Sequence, residues 1–123
     1  MIKLCDLIAE RIDFVNAGCE SFAVALNKVF GYDFAMLYSK HDDWYLHVFC
    51  ITKGKCIDAN GVQTISQILQ KFKVDKPHTI RLKDCILEKN QERIMHFISQ
   101  GFVKSYFMRA AKVINANKSS FSA

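Results

Sequence analysis

The run Trp44-Tyr45-Leu46-His47-Val48-Phe49-Cys50-Ile51-Thr52-Lys53-Gly54-Lys55-Cys56-Ile57-Asp58-Ala59-Asn60-Gly61 decides how the chain is read. Its aromatic and β-branched residues predict a strand over Trp44 to Thr52, a tight turn at Lys53-Gly54, and a returning strand from Lys55 to Ala59 that Asn60-Gly61 ends. If the turn holds two residues, Thr52 faces Lys55, and the same register sets Asp58 opposite Phe49. His47, two residues from Phe49, then shares a face with Asp58, the two being diagonal neighbours about 7 Å apart at the backbone. Leu46, Val48, Cys50 and Ile57 form an apolar set on the opposite face. A three-residue loop would reverse this parity.

Helical spacing surrounds the hairpin. Ile2, Leu4, Leu7, Ile8, Ile12 and Val15 predict an amphipathic helix over residues 2 to 14, broken at Asn16-Ala17-Gly18. Cys19, Phe22, Ala23, Leu26, Val29 and Phe30 share one face of a second helix, with Gly31 suited to the left-handed position past its end. Phe34 to Tyr38 is a short strand candidate, and His41-Asp42-Asp43 a polar turn. Beyond the hairpin, Thr64 and Gln67 form a capping box for a helix carrying Ile65, Ile68, Leu69 and Phe72, which Pro77 stops. Thr79 to Leu82 reads as a further strand. Asn90 opens a helix with Ile94, Phe97 and Ile98 inward, closed by Gly101. Phe102 to Ile114 keeps helical spacing, although its aromatic density also suits a strand. Residues 115 to 123 read as a frayed tail. The expected class is α+β, with N-terminal helices packed on a small antiparallel sheet and further helices at the C-terminus, in one domain over residues 1 to 114.

Composition narrows the function classes. A chain of 123 residues with 50% hydrophobic residues and one Pro has enough apolar surface for one core, and no apolar run reaches the roughly 18 residues of a membrane span. Asp6 and Glu10 interrupt the first ten residues as an amphipathic helix would, not a signal peptide. Five cysteines, an odd number, then read as free thiols in a cytosolic protein. The net charge of +5 is uneven. Residues 1 to 70 hold six Lys/Arg against eight Asp/Glu, whereas residues 71 to 123 hold eleven against four.

A nucleophilic thiol works as thiolate, which the unpaired N–H groups and positive dipole end of a helix's first turn favour. Gly18-Cys19 meets that need. The nucleophile also requires a base, and the base a carboxylate or amide to hold its tautomer; His47 and Asp58 are the candidates. Taken singly, Cys19 reads equally as a small core residue, His47 as a satisfied structural histidine and Asp58 as a turn residue. Their order and the shared face of His47 and Asp58 favour chemistry. Cys50 and Cys56 straddle the turn without a Cys-x-x-Cys pair and fall on opposite faces, so no metal site or cofactor is expected. The basic residues Lys71, Lys73, Arg81, Lys104, Arg109 and Lys112 suit an acidic protein partner or a nucleic acid, though no nucleic-acid-binding motif accompanies them.

The pattern Gly18-Cys19-x-x-Phe22-Ala23-x-Ala25-Leu26, then His47-Val48 within an apolar strand, then Ile57-Asp58-Ala59-Asn60-Gly61, resembles the papain-like and transglutaminase-like cysteine hydrolases. It covers residues 14 to 65 and, in its small size and Asp-x-x-Gly ending, is most similar to compact papain-fold toxin and effector domains, several of which deamidate glutamine. The resemblance implies a papain-like core with Cys19 as nucleophile, His47 as general base and then acid, and Asp58 orienting His47. It also implies an oxyanion hole with the Cys19 backbone N–H as one donor, for which the Asn16 amide is a candidate second. The expected activity is cleavage of an amide in a protein substrate, as deamidase or peptidase. The site of action would be the cytosol of the producing cell, or of a host cell if the protein is delivered as an effector. The alternative is a non-catalytic effector or inhibitor of the same fold that binds a partner through its basic half.

Overall fold

In the computed structural model the first helix among the described residues, α1 (Cys19–Phe30), begins at the cysteine that the sequence singles out. The structure describes residues 18–40, 44–75 and 85–123. The expected helix over residues 2 to 14, the turn at 41 to 43, the stop at Pro77 and the strand Thr79 to Leu82 lie outside them, as do Cys5, Asn16, His78 and Arg81.

Gly18 precedes α1, and Gly31 closes it at φ 77° with its N–H on the Asn27 carbonyl, 2.8 Å away. That left-handed position is where glycine carries no Cβ penalty. After α1 come β1 (Asp33–Ser39), β2 (Trp44–Thr52), β3 (Lys55–Asp58) and β4 (Gly61–Gln63). Next follow α2 (Ile65–Asp75), β5 (Cys85–Glu88), α3 (Gln91–Gly101), α4 (Lys104–Ala116) and the short α5 (Lys118–Phe121). The five strands form one antiparallel sheet in the order β4-β3-β2-β1-β5. The α+β class is therefore as expected, with helices before and after a central sheet.

The β2–β3 turn is the two-residue one. Lys53 and Gly54 both have positive φ, 50° and 74°, as a type I′ hairpin turn requires, and Thr52 pairs with Lys55, Ile51 with Cys56 and Cys50 with Ile57. On the other side of β2, the register with β1 slips between Leu37 and Tyr38, which pair with His47 and Tyr45. Leu46 is the extra residue of this bulge. It consequently packs with the Phe49 cluster and not with Val48, Cys50 and Ile57 as strict alternation predicts.

Two apolar clusters cover the two sheet faces. Val48, Cys50, Ile57 and Met36 pack under α1, α3, α4 and α5, whereas Ala35, Leu37, Phe49 and Cys56 pack under Ile68 of α2. Local signals agree with these placements. Thr64 and Gln67 make the reciprocal capping box, with Thr64 N–H on Gln67 Oε1 and Gln67 N–H on Thr64 Oγ1, and Asn90 caps α3 by accepting from the Arg93 N–H.

Three features refine or correct the sequence reading. Asn60-Gly61 ends β3 as expected, but the chain stays in the sheet: Gly61, at φ 97°, reverses it into β4, where Val62 pairs with Ile57. Of residues 102 to 114, Phe102 and Val103 are an extended corner and the rest resolve to helix, because Ala110, Val113 and Ile114 fill the core under α1 at helical spacing. Residues 115 to 123 are not a frayed tail. Phe121 is 1% exposed, its ring lies 5.4 Å from that of Phe22, and its carbonyl accepts from the Tyr32 hydroxyl at 3.0 Å. Burying one phenylalanine contributes about 1.5–3 kcal/mol, enough to hold a short polar segment in place.

Candidate active site

His47 stands where the ladder between β2 and β3 has ended and β2 is bulged. Its ring is buried, stacks on Phe49 at 5.5 Å, and holds Asp58 through Nε2 and Oδ2 at 2.9 Å. Asp58 is itself fixed from two more sides, since Oδ1 accepts from the Asn60 N–H at 2.8 Å and from Gln63 Nε2 at 2.6 Å. Three donors around one carboxylate fix its plane and hence the plane of the ring.

Cys19 is the first residue of α1 and is nearly buried. Its backbone N–H belongs to the first turn, where no intrahelical acceptor exists. The thiol acts on the His47 ring. Burial by itself disfavours a charged imidazole, but the Asp58 hydrogen bond, the Cys19 side chain and the negative charge both residues can carry outweigh it, so the His47 pKa is raised. The structure thus gathers Cys19, His47 and Asp58 in one place.

The other cysteines have a different character. Cys50 donates to the Ala23 carbonyl at 3.3 Å, and burial drives its thiol far above the ordinary range. Cys56 is raised too, by burial first and by Asp58 second. Both are held as thiols within the two cores, on opposite faces. Among the described residues, no three His, Cys, Asp or Glu side chains gather as metal ligands, and no helix is long and apolar enough to cross a membrane.

The basic residues are distributed over two sides of the sheet. Lys104 and Lys112 are exposed on α4, where Arg109 is partly buried with its guanidinium 5.9 Å from the Tyr106 ring centroid. Lys71 is partly buried on α2, beyond the opposite face, and Lys73 belongs to the same helix.

Several neighbours of the site were not picked out from sequence. Glu20 and Ser21 complete a first turn of α1 that is buried all round. Ser21 Oγ bonds both the N–H and the carbonyl of Val103, at 2.9 and 3.2 Å, and so ties this turn to the α3–α4 corner. Glu20 accepts from the Tyr45 hydroxyl, and burial, then Glu20, drives that hydroxyl's pKa far up. Gly101 makes room for Glu20: a Cβ there would lie 2.5 Å from the Glu20 Cδ. The sequence signal for this group was an acidic residue directly after the candidate nucleophile, on a helix position that apolar spacing assigns to solvent.

A separate cleft of about 410 Å³ lies between the β3–β4 turn and α5, lined by Asn60, Gly61 and Ser119 to Ser122 among others. It does not include Cys19, His47 or Asp58. Comparison with protein-family models, curated proteins and solved structures finds no match to this chain.

Proposed function

We propose that this protein is a cysteine hydrolase that cleaves an amide, as a protein deamidase or peptidase, with Cys19 as nucleophile, His47 as base and acid, and Asp58 as the group that orients His47. The observation that carries the reading is a buried imidazole held at Nε2 by Asp58, with a cysteine at a helix start beside it, its pKa raised first by the Asp58 hydrogen bond and then by that cysteine. With Nε2–H donating to the Asp58 carboxylate, Nδ1 is the nitrogen that takes the thiol proton.

The chemistry follows from these roles. Sγ of Cys19 bonds to the amide carbonyl carbon, and the oxygen's charge falls to the Cys19 N–H and a second donor, for which Asn16 is the candidate. His47 returns the proton to the amide nitrogen, the C–N bond breaks, and ammonia or an amine leaves a thioester on Cys19. Water attacks the thioester with His47 again as base, releasing the carboxylic acid and the thiol.

Iodoacetamide tests the reading directly, with the modified cysteine located by mass spectrometry. Cys19 is expected to alkylate faster than a free thiol near neutral pH, and His47→Ala to remove the advantage. Alkylation at a free-thiol rate that His47→Ala leaves unchanged would sink the reading.

One observation favours a second, compatible reading, in which the C-terminal half binds a partner. Residues 93 to 123 hold five Lys/Arg and no Asp or Glu, and Lys104, Lys112 and Lys118 are exposed. If the partner is a nucleic acid, binding should weaken steeply between about 50 and 200 mM salt. Absence of retention on heparin at low salt would count against it.

A further inference from the structure

Glu20 supplies a charge that the reaction itself does not use. The residue is 6% exposed, its Oε1 accepts from the Tyr45 hydroxyl, and no cation among the described residues lies within ion-pair distance of it. Removing a carboxylate from water costs several kcal/mol unless a cation or several donors replace the water. Asp58, the other buried carboxylate of the site, has three such contacts. Among the described residues, Glu20 has one hydroxyl and the positive end of α1.

In front of this carboxylate stands a group of aromatic rings. Tyr45, Trp44 and Phe97 meet with centroids 5.2 to 5.3 Å apart, and Trp44 is 47% exposed, so an indole is presented to solvent next to the ring that binds Glu20. Aromatic faces attract cations, tryptophan most strongly. The same cluster already does so once: the Arg93 guanidinium lies 4.3 Å from the centroid of Tyr38, whose ring packs on Phe97. Among the described residues, no cation of the protein is placed in this way over Trp44 or Tyr45. Cys19 is the residue before Glu20, near enough that a negative charge on it would act on the Tyr45 hydroxyl. The acidic balance of residues 1 to 70 has the matching sign.

We infer that the site takes a substrate with a cationic group, a primary ammonium or a guanidinium, beside the bond attacked, seated on Trp44, Tyr45 and Phe97 with Glu20 as its counter-charge. The word substrate rests on the hydrolase reading; the cation site stands on Glu20 and the rings alone. An anionic group would meet Glu20 as a like charge. A neutral aliphatic group of the same length would gain the ring contact without the charge.

Trp44 is the chain's one tryptophan, so its fluorescence reports on the site in the unmodified protein. The probes are Nα-acetyl-lysine amide and its neutral isostere Nα-acetyl-norleucine amide. The lysine derivative is expected to give a saturable change with an affinity about tenfold higher or more, and Glu20→Gln to bring the two within about twofold. Equal affinities in the unmodified protein would overturn the inference, as would a preference that survives Glu20→Gln. The comparison in the unmodified protein decides the matter even if the variant does not fold. Because no reaction at Cys19 is needed, an inert Cys19 with a preserved lysine preference removes the hydrolase reading alone. A reactive Cys19 without the preference removes the cation site alone.

Discussion

The first turn of α1 and the helix α4 treat their polar residues in opposite ways. Along α4, Ala110, Val113 and Ile114 are buried while Lys104, Ser105, Lys112 and Asn115 face outward, as helical spacing dictates. At the start of α1, Cys19, Glu20 and Ser21 are all buried, although they point in three different directions around the axis. Each of the three needs its own partner, and each has one: His47, Tyr45 and Val103. A turn that buries polar groups on all sides is costly for stability alone, and such violations of patterning concentrate at functional sites.

The contrast can be broken by mutation, and the largest effect is expected at its polar end. Asp58→Ala leaves His47 buried without its carboxylate and should cost about 3–5 kcal/mol, measured by urea unfolding. A loss below about 1 kcal/mol would mean that the pair is not buried in solution. The same pair sets a pH dependence. Because the folded His47 pKa is raised above the ordinary 6.5, its contribution is complete below that value and is lost as pH rises through the folded pKa. Stability measured against pH should show this decline in the native protein and lose it in Asp58→Ala.

At the apolar end, Ile114→Ala opens a cavity beneath α1 and should cost about 2–5 kcal/mol. The site geometry should survive it, read as an unchanged relative alkylation rate at Cys19. Gly101→Ala acts on the boundary between the two regions. The added methyl pushes the Glu20 carboxyl away from Tyr45, for an expected loss of about 1–3 kcal/mol and a visible change in Trp44 emission. A neutral outcome would show that Glu20 relaxes without losing its hydroxyl partner. Lys112→Ala, on the solvent side of α4, should change stability by no more than about 0.5 kcal/mol.

The same contrast explains what was legible. The fold class, α1 with its glycine stop, the two-residue hairpin turn, the capping box and the Asn90 cap all rest on local rules, and each has a residue type that its geometry requires. The placement of His47 beside Asp58 followed from turn length and side-chain alternation, which are local too. β4 and β5 were not readable, being three and four residues long, too short for a pattern. The bulge at Leu46 left no mark in the sequence. Glu20, Tyr45, Gln63 and Gly101 depend on contacts across 5 to 81 positions of chain, which no periodicity encodes. The polar composition of residues 115 to 123 concealed Phe121, whose single ring outweighs its neighbours.

That ring has a consequence at the other side of the molecule. β4 is the outer strand of the sheet, and α5, pinned by Phe121, packs over it; the Ser120 carbonyl lies so close to Gly61 that a Cβ there would come within 3.1 Å. Outer strands with bare hydrogen-bonding groups recruit further strands, and proteins guard them by covering. Here the guard is a four-residue helix held by one phenylalanine. Should Phe121 leave its pocket, β4 would be bared for self-association, and the core beneath α1 would lose the ring that packs on Phe22, while the cluster under α2 stays intact.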